Sequence, residues 1–145
     1  MGNLKNNLIM EQKEQKYTLT VTESQLKLIA DCIEDLSRFM GGQMELWNTA
    51  SRLGTFVELK ERLEELQPLV TPDLPRNASY GWNGGGCPNK HQEKFIAQTY
   101  ALYREIRHQM RLLNRTPDEE YNYNVYDSPT LTCKLGGELP KIEKV

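Results

Sequence analysis

Residues 77–91 concentrate the groups in this chain that can do chemistry: Asn-Ala-Ser-Tyr-Gly-Trp-Asn-Gly-Gly-Gly-Cys-Pro-Asn-Lys-His. Four glycines, Gly81, Gly84, Gly85 and Gly86, precede a strongly periodic helix. Backbone amides left uncovered at a helix start sit where the helix dipole is positive, so such a loop can receive an anion. Tyr80 and Trp82 add flat faces, and Lys90, His91 and Lys94 add cations at the helix start. Aromatic faces beside cations suit an adenine or a phosphate. The other reading is a surface loop that Tyr80 and Trp82 pin to the core. The segment lacks the Gly-Lys-Ser/Thr of a phosphate loop and the Gly-x-Gly-x-x-Gly of a dinucleotide fold.

A second charged feature follows. Arg104, Arg107, His108, Arg111 and Arg115 occupy neighbouring positions on one helical face. From Lys90 to Arg115, six lysines and arginines against two glutamates give +4, in a chain whose net charge is −2. At 100° per residue Arg104 lies about 180° from Phe95, opposite the apolar stripe, where solvated charges normally go. Acting as a site, Arg104 and Arg107 would line a groove between subunits and hold phosphates in a fork.

Other chemistry is poorly supplied. His91 and His108 are the only histidines, and no serine lies in an elbow motif, so no enzyme is expected. Cys87 and His91, with His108 and Cys133, match no zinc-finger spacing, and neither metal nor cofactor is expected. Glu34 with Asp35, and Glu119 with Glu120, are adjacent on helices, diverge by about 100°, and read as solvated. Phe39, Trp47 and Phe56 read as core. Three scattered cysteines, Cys32, Cys87 and Cys133, argue for a reducing compartment rather than a disulfide framework. No apolar run is long enough to span a bilayer and no signal peptide is visible, so a cytoplasmic site is expected. Without such a signal the acceptor pattern Asn77-Ala78-Ser79 is a chance match. Gly2 suggests myristoylation, but Asn6 stands where Ser or Thr is wanted.

The elements that must position these groups follow from pattern. Residues 1–15 read as a mobile polar tail, and residues 16–145 as one α+β domain. Tyr17, Leu19 and Val21 alternate with threonines as in a half-buried strand. Thr22 with Gln25 forms a capping box, opening a helix with Leu26, Ile29, Ala30, Ile33, Leu36 and Met40 on one stripe. Gly41-Gly42 either ends or bends it. Residues 55–66 form another helix with a charged outer face, and Pro68, Pro72 and Pro75 open a long loop to Asn89. The last helix runs from about Lys90 to Asn114, capped by Asn89 with Gln92 in the capping-box position. Its core stripe is Phe95, Thr99, Leu102, Ile106, Met110 and Leu113. Val125-Tyr126 and Leu131–Cys133 read as strands. The expected fold is three to four helices with a small antiparallel sheet, formed by the N-terminal strand and the C-terminal strands. The exposed edges of that sheet invite a second subunit.

The order of motifs resembles small proteins of tailed phages and prophages, mostly uncharacterised. The likeness covers residues 17–131. It rests on Val21-Thr22-Glu23-Ser24-Gln25-Leu26, Arg38-Phe39 with Gly41-Gly42-Gln43, residues 77–81, Ala101-Leu102-Tyr103-Arg104-Glu105-Ile106-Arg107, and Asn124-Val125-Tyr126-Asp127-Ser128. The triple glycine departs from it, since the resemblance implies a shorter turn there. What it implies is a non-enzymatic phage accessory protein, cytoplasmic in an infected bacterial host. One such role is an anti-defence sponge: a homo-oligomer that sequesters an anionic nucleotide-derived signal. For this chain the ligand-binding set would be Tyr80, Gly81, Trp82, Gly84, Gly85, Gly86, Lys90, His91, Lys94, Arg104 and Arg107. The rival is a protein-interaction or structural accessory that grips its partner through the acidic 55–66 helix or a sheet edge.

Overall fold

The computed structural model describes residues 14–116 and 124–145. The tail assigned to the N-terminus lies largely outside them, as does the Glu119-Glu120 pair. The described residues form five α-helices: α1 (Glu23–Gly41), α2 (Trp47–Ala50), α3 (Phe56–Glu64), α4 (Gln67–Val70) and α5 (Lys90–Asn114). Two 3-10 turns follow, Val125–Asp127 and Lys134–Gly136.

The expected α+β fold is therefore incorrect: the described residues contain no strand and the architecture is all-α. Tyr17 and Leu19 are 90% and 75% exposed, so their alternation faces no partner strand. The C-terminal runs do not supply one. Asn124 caps the turn at Val125–Asp127 by accepting from the Tyr126 amide, and the later residues lie along α5. A period-2 pattern specifies a strand only where a ladder exists to satisfy its backbone.

α1 and α5 are the main packed pair. Their contacts run in opposite order, Glu23 with Asn114, Asp31 with Arg107 and Ser37 with Ile96, so the helices are antiparallel. Ala30, Ile96, Ala97 and Ala101 are almost fully buried. Small residues let the backbones approach, and Ile96 alone contributes about 1.5–3 kcal/mol by burial.

Local signals set the ends of both helices. Thr22 accepts from the Gln25 amide while the Gln25 side chain accepts from the Thr22 amide. Thr22→Ala is expected to lower unfolding stability by about 1 kcal/mol, measurable by urea denaturation. Gly42 ends α1 in the left-handed region at φ 111°. A Cβ there would stand 2.9 Å from the Ala78 carbonyl oxygen. The glycine pair thus stops the helix and admits the long loop against its end, where the Tyr80 amide donates to Gly41 O at 2.8 Å. Helix resumes only as the short α2. Asn89 caps α5 as expected, accepting from the His91 and Gln92 amides. The Gln92 side chain does not complete a capping box: it donates to Met40 O and Val70 O, both at 2.8 Å, stapling three segments.

The stripe assigned to α5 also needs correction. Leu102 and Leu113 are exposed, while Tyr103, Arg104 and Glu105 are buried. Trp47, assigned to the core, is 62% exposed and meets Phe56 edge-on. Among the described residues no helix is long and apolar enough to cross a membrane.

Candidate functional site

The long loop is packed, not loose. Buried Gln67 accepts from the Asn77 amide and donates to Ala78 O, holding the chain that leads to Tyr80. The Tyr80 hydroxyl donates to Asp73. Tyr80, Cys87 and Ile96 form a buried cluster flanked by Met40 and Leu74.

This packing sets Trp82 against α5, its ring 4.9 Å from Tyr100 and tilted by 42°. Tyr100 meets Tyr103 edge-on at 5.7 Å, and the Arg107 guanidinium lies 5.4 Å from the Tyr103 ring. Residues 100, 103 and 107 share one helical face, so the ladder follows from their spacing. Between this row and the end of α1 runs a groove of about 220 Å³. Its walls are Ser37, Arg38 and Gly41 from α1, then Gln43, Ser79–Trp82 from the loop, and Ile96, Tyr100 and Tyr103 from α5. A second hollow of about 240 Å³ is lined by Glu64, Glu65, Gln67, Pro68, Leu74 and Arg76. It has no aromatic wall and its Gln67 is committed to the loop backbone, so the aromatic groove is the stronger candidate.

Arg38 stands at the groove's edge, half exposed. Its Nε donates to Glu34 Oε2 at 3.0 Å and its Nη1 to Gln43 Oε1 at 2.8 Å. Behind it lies a charge network. Arg107 donates to Glu34 at 2.6 Å and to Asp31 at 2.9 Å. Asn48 Nδ2 donates to both Glu34 and Asp35, and Asp35 accepts from the Asn48 and Thr49 amides that open α2. Glu34 and Asp35, assigned to solvent, are buried at 8% and 4% exposure. Both reach Asn48 although their side chains diverge, because α2 folds back across their helix. Burial raises the Glu34 carboxyl, but donors from Asn48, Arg107 and Arg38 outweigh it and hold it below its ordinary value. Burial pushes the Tyr103 hydroxyl up to about 12. Burial and Asp73 push Tyr80 up further. These two phenols therefore stay protonated near neutral pH.

The structure divides the residues expected to bind ligand. Tyr80, Gly81 and Trp82 line the groove. The triple glycine does not form an open anion cradle. The Gly84 amide donates to Gly81 O, the Gly85 amide to Asn83 Oδ1, and the Cys87 amide to Gly84 O. Gly84 is buried against Glu93, while Gly85 and Gly86 are exposed outside the groove. Lys90, His91 and Lys94 are exposed at the start of α5 and line no part of the groove, and Lys90 pairs with Glu93 at 3.6 Å.

The arginine face of α5 is largely covered, and of its arginines only Arg115 is exposed. Arg104 is 8% exposed, lies 5.0 Å over the Tyr126 ring, and donates to Val125 O and Ser128 O. Arg111 donates to Asp127 at 2.8 Å, and His108 Nδ1 contacts Tyr126 O at 2.6 Å. The C-terminal segment covers the side of α5 that helical-wheel reasoning leaves to water. Arg104 and Arg107 thus do not meet the glycine loop; the guanidinium that does stand beside Tyr80 and Trp82 is Arg38.

Sequence reasoning also passed over Gln43, Tyr100 and Tyr103 as site residues. The signal for the tyrosines was the 100-103-107 spacing. For Arg38 and Gln43 it was the closeness of both to the helix-ending glycine pair. No protein-family model matches the chain, and neither a curated protein nor a solved structure does.

Proposed function

We propose that this chain is a binding protein for a small, flat, heteroatom-rich ring, held without chemical conversion in the groove between Trp82, Tyr100, Tyr103 and Arg38. The convergence of those three rings and one guanidinium on a single groove carries this reading. Aromatic side chains contribute about 1–3 kcal/mol per stacked base. The titratable wall groups are a guanidinium and phenols, and Tyr80 and Tyr103 are held protonated, so they offer no general base near neutral pH. A protein that holds such a ligand unchanged serves as a carrier, a sensor or a sequestering agent. The sequestration role implied by the phage resemblance falls within this class.

Fluorescence tests it directly. A Trp47→Phe variant leaves Trp82 as the sole tryptophan. Nucleosides, their 5′-monophosphates, cyclic dinucleotides and ADP-ribose are titrated against it. Saturable quenching by at least one ring compound below about 1 mM is expected, the affinity that a few kcal/mol of stacking and hydrogen bonding supports. Silence across the panel removes the reading.

The protein-interaction alternative keeps one observation in its favour. Trp47, Leu53 and Val57 are 62%, 51% and 69% exposed around the α2–α3 corner. Recovery of one stoichiometric protein partner that is lost on Trp47→Ala, with no ring ligand bound, would favour it.

A further inference from the structure

We propose that a second copy of this chain covers the apolar face of the α1–α5 pair, giving a symmetric dimer built on four helices. The aromatic groove lies on the other side of that pair, so the inference does not depend on the ring site.

The two sides follow from register. On α1, Glu34 and Ser37 mark the line that meets α5. At 100° per residue, turning one way from that line leads to Asp31 and Arg38, toward the charge network and the groove. Turning the other way leads to Leu26, Ile29, Ile33 and Leu36. On α5, Gln92, Ile96 and Arg107 reach α1. From that line Tyr100 lies on the groove side, and Phe95, Leu102 and Leu113 lie on the other. In an antiparallel pair the same turn on each helix leads to the same side of the layer, so the two apolar stripes lie next to one another.

Periodicity assigns both stripes to a core, yet within one chain they are incompletely covered. Leu36, Leu102 and Leu113 are 50%, 39% and 39% exposed, and Leu26, Ile29, Ile33 and Phe95 are half-buried. The buried seam is made instead of Ala30, Ala97, Ala101 and the Glu34 network. Met40, at the end of the α1 stripe, makes the contrast, since it packs against the Tyr80 cluster. A helix layer with one bare apolar side needs a further layer to bury it.

Two observations make that layer a second copy. The first is charge. No lysine, arginine, aspartate or glutamate of either helix falls in this sector. The face can therefore meet itself across a two-fold axis without opposing like charges, as isologous pairing requires. It offers a charged partner nothing to read, and it lacks the Lys/Arg-rich border of a helix that lies on a membrane. The second is area. The 19 residues of α1 run about 28 Å beside α5, and two packed helices are about 20 Å wide. The face therefore offers roughly 560 Å² per copy and roughly 1,100 Å² in all, above the about 1,000 Å² that a specific interface needs. One antiparallel pair on its twin is a four-helix bundle.

Sedimentation equilibrium of the full chain, from about 1 to 100 μM, tests this. A species of twice the chain mass is expected at the upper concentrations. Leu36→Glu and Leu102→Glu each place a charge in the seam twice over, by symmetry, and should weaken the dimer at least about a hundredfold. Both positions already meet solvent in the single chain, so helical content should persist by far-ultraviolet circular dichroism. Leu69→Glu, at an 81% exposed position on α4, should leave the dimer unchanged. The unsubstituted chain supplies a further check: its urea midpoint should rise with protein concentration, because association stabilises the folded state. A monomer at every concentration, with a fixed midpoint, overturns the proposal. So does a dimer that both glutamate variants leave intact. A monomer that binds a different protein, and loses it on Leu36→Glu, also overturns it and gives the face to that partner.

Discussion

Replacing Arg107 by alanine is expected to lower the free energy of unfolding by about 2–3 kcal/mol, through loss of charge-assisted hydrogen bonds across the α1–α5 contact while Glu34 keeps Arg38 and Asn48 and Asp31 keeps Arg52. It should appear as a lower urea midpoint at an unchanged m value. Arg107 is the hub of the α1–α5 contact, and its side chain is 15% exposed, against 11% for Glu34 and 28% for Asp31. Its two bonds to different carboxylates tie one helix to the other, and a third donor contact reaches the Tyr126 hydroxyl at 3.2 Å. Arg52, 58% exposed and 3.6 Å from Asp31, makes the contrast: Arg52→Ala should cost less than about 1 kcal/mol. Equal, small losses from both would show that the buried network contributes little.

The same variant carries a pH signature. The folded Glu34 carboxyl sits below its ordinary value of 4.5. Its contribution to stability is therefore fully present above pH 4.5 and is lost as pH falls through the lower folded value. Removing Arg107 takes away two of the effects that lower it, while Asn48 and Arg38 still lower it and burial still raises it, so the folded value moves up toward 4.5. The gap between the folded and unfolded values then narrows, so the stability lost as pH falls below 4.5 should be smaller in Arg107→Ala than in the parent chain. Urea midpoints measured from pH 3 to 7 check the direction.

Gly84→Ala is expected to destabilise the fold by about 2–4 kcal/mol. A residue with a Cβ meets a left-handed backbone cost of about 1–2 kcal/mol at φ 74°. It also meets rigid neighbours. The added carbon would stand 2.6 Å from the Glu93 carbonyl oxygen and 2.8 Å from the Glu93 Cα. Overpacking of this kind costs about 1–3 kcal/mol. Because those neighbours belong to the first turn of α5, the loop would lift from the helix and carry Trp82 away from Tyr100. Loss of the Trp82–Tyr100 contact should be visible in near-ultraviolet circular dichroism. Gly54→Ala is the comparison, since no atom lies within 4 Å of the Cβ there; it should change stability by less than about 1 kcal/mol. Similar costs at the two positions would mean that Gly84 is an ordinary turn glycine. The chemistry assigned to this loop thus changes character: its glycines permit close packing, and its recognition surface is the Tyr80–Trp82 end.

The chain by itself determined the features that neighbouring residues decide. Thr22 with Gln25 starts α1, Gly42 ends it, and Asn89 starts α5 where it was expected, because caps and left-handed glycines act within one turn of chain. The same holds for the breakdown of the helical pattern at Pro72 and Pro75 and for the link between Tyr80, Trp82 and one loop. It does not hold for Pro68, which was expected to open the loop and instead sits in the first turn of α4, where a proline needs no amide partner. What only the tertiary structure decided was the partner of each face. The Tyr17–Val21 alternation was legible but found no ladder. The arginines of α5 share one face, yet Arg104 and Arg111 are covered by residues 125–128, and Arg107 is bound by Asp31 and Glu34 of α1. Arg38 reached the site by standing one turn before the helix end against which the loop packs. Each of these outcomes depends on residues tens of positions apart meeting in space. Periodicity reports which side a group is on; it carries no information about what will cover that side.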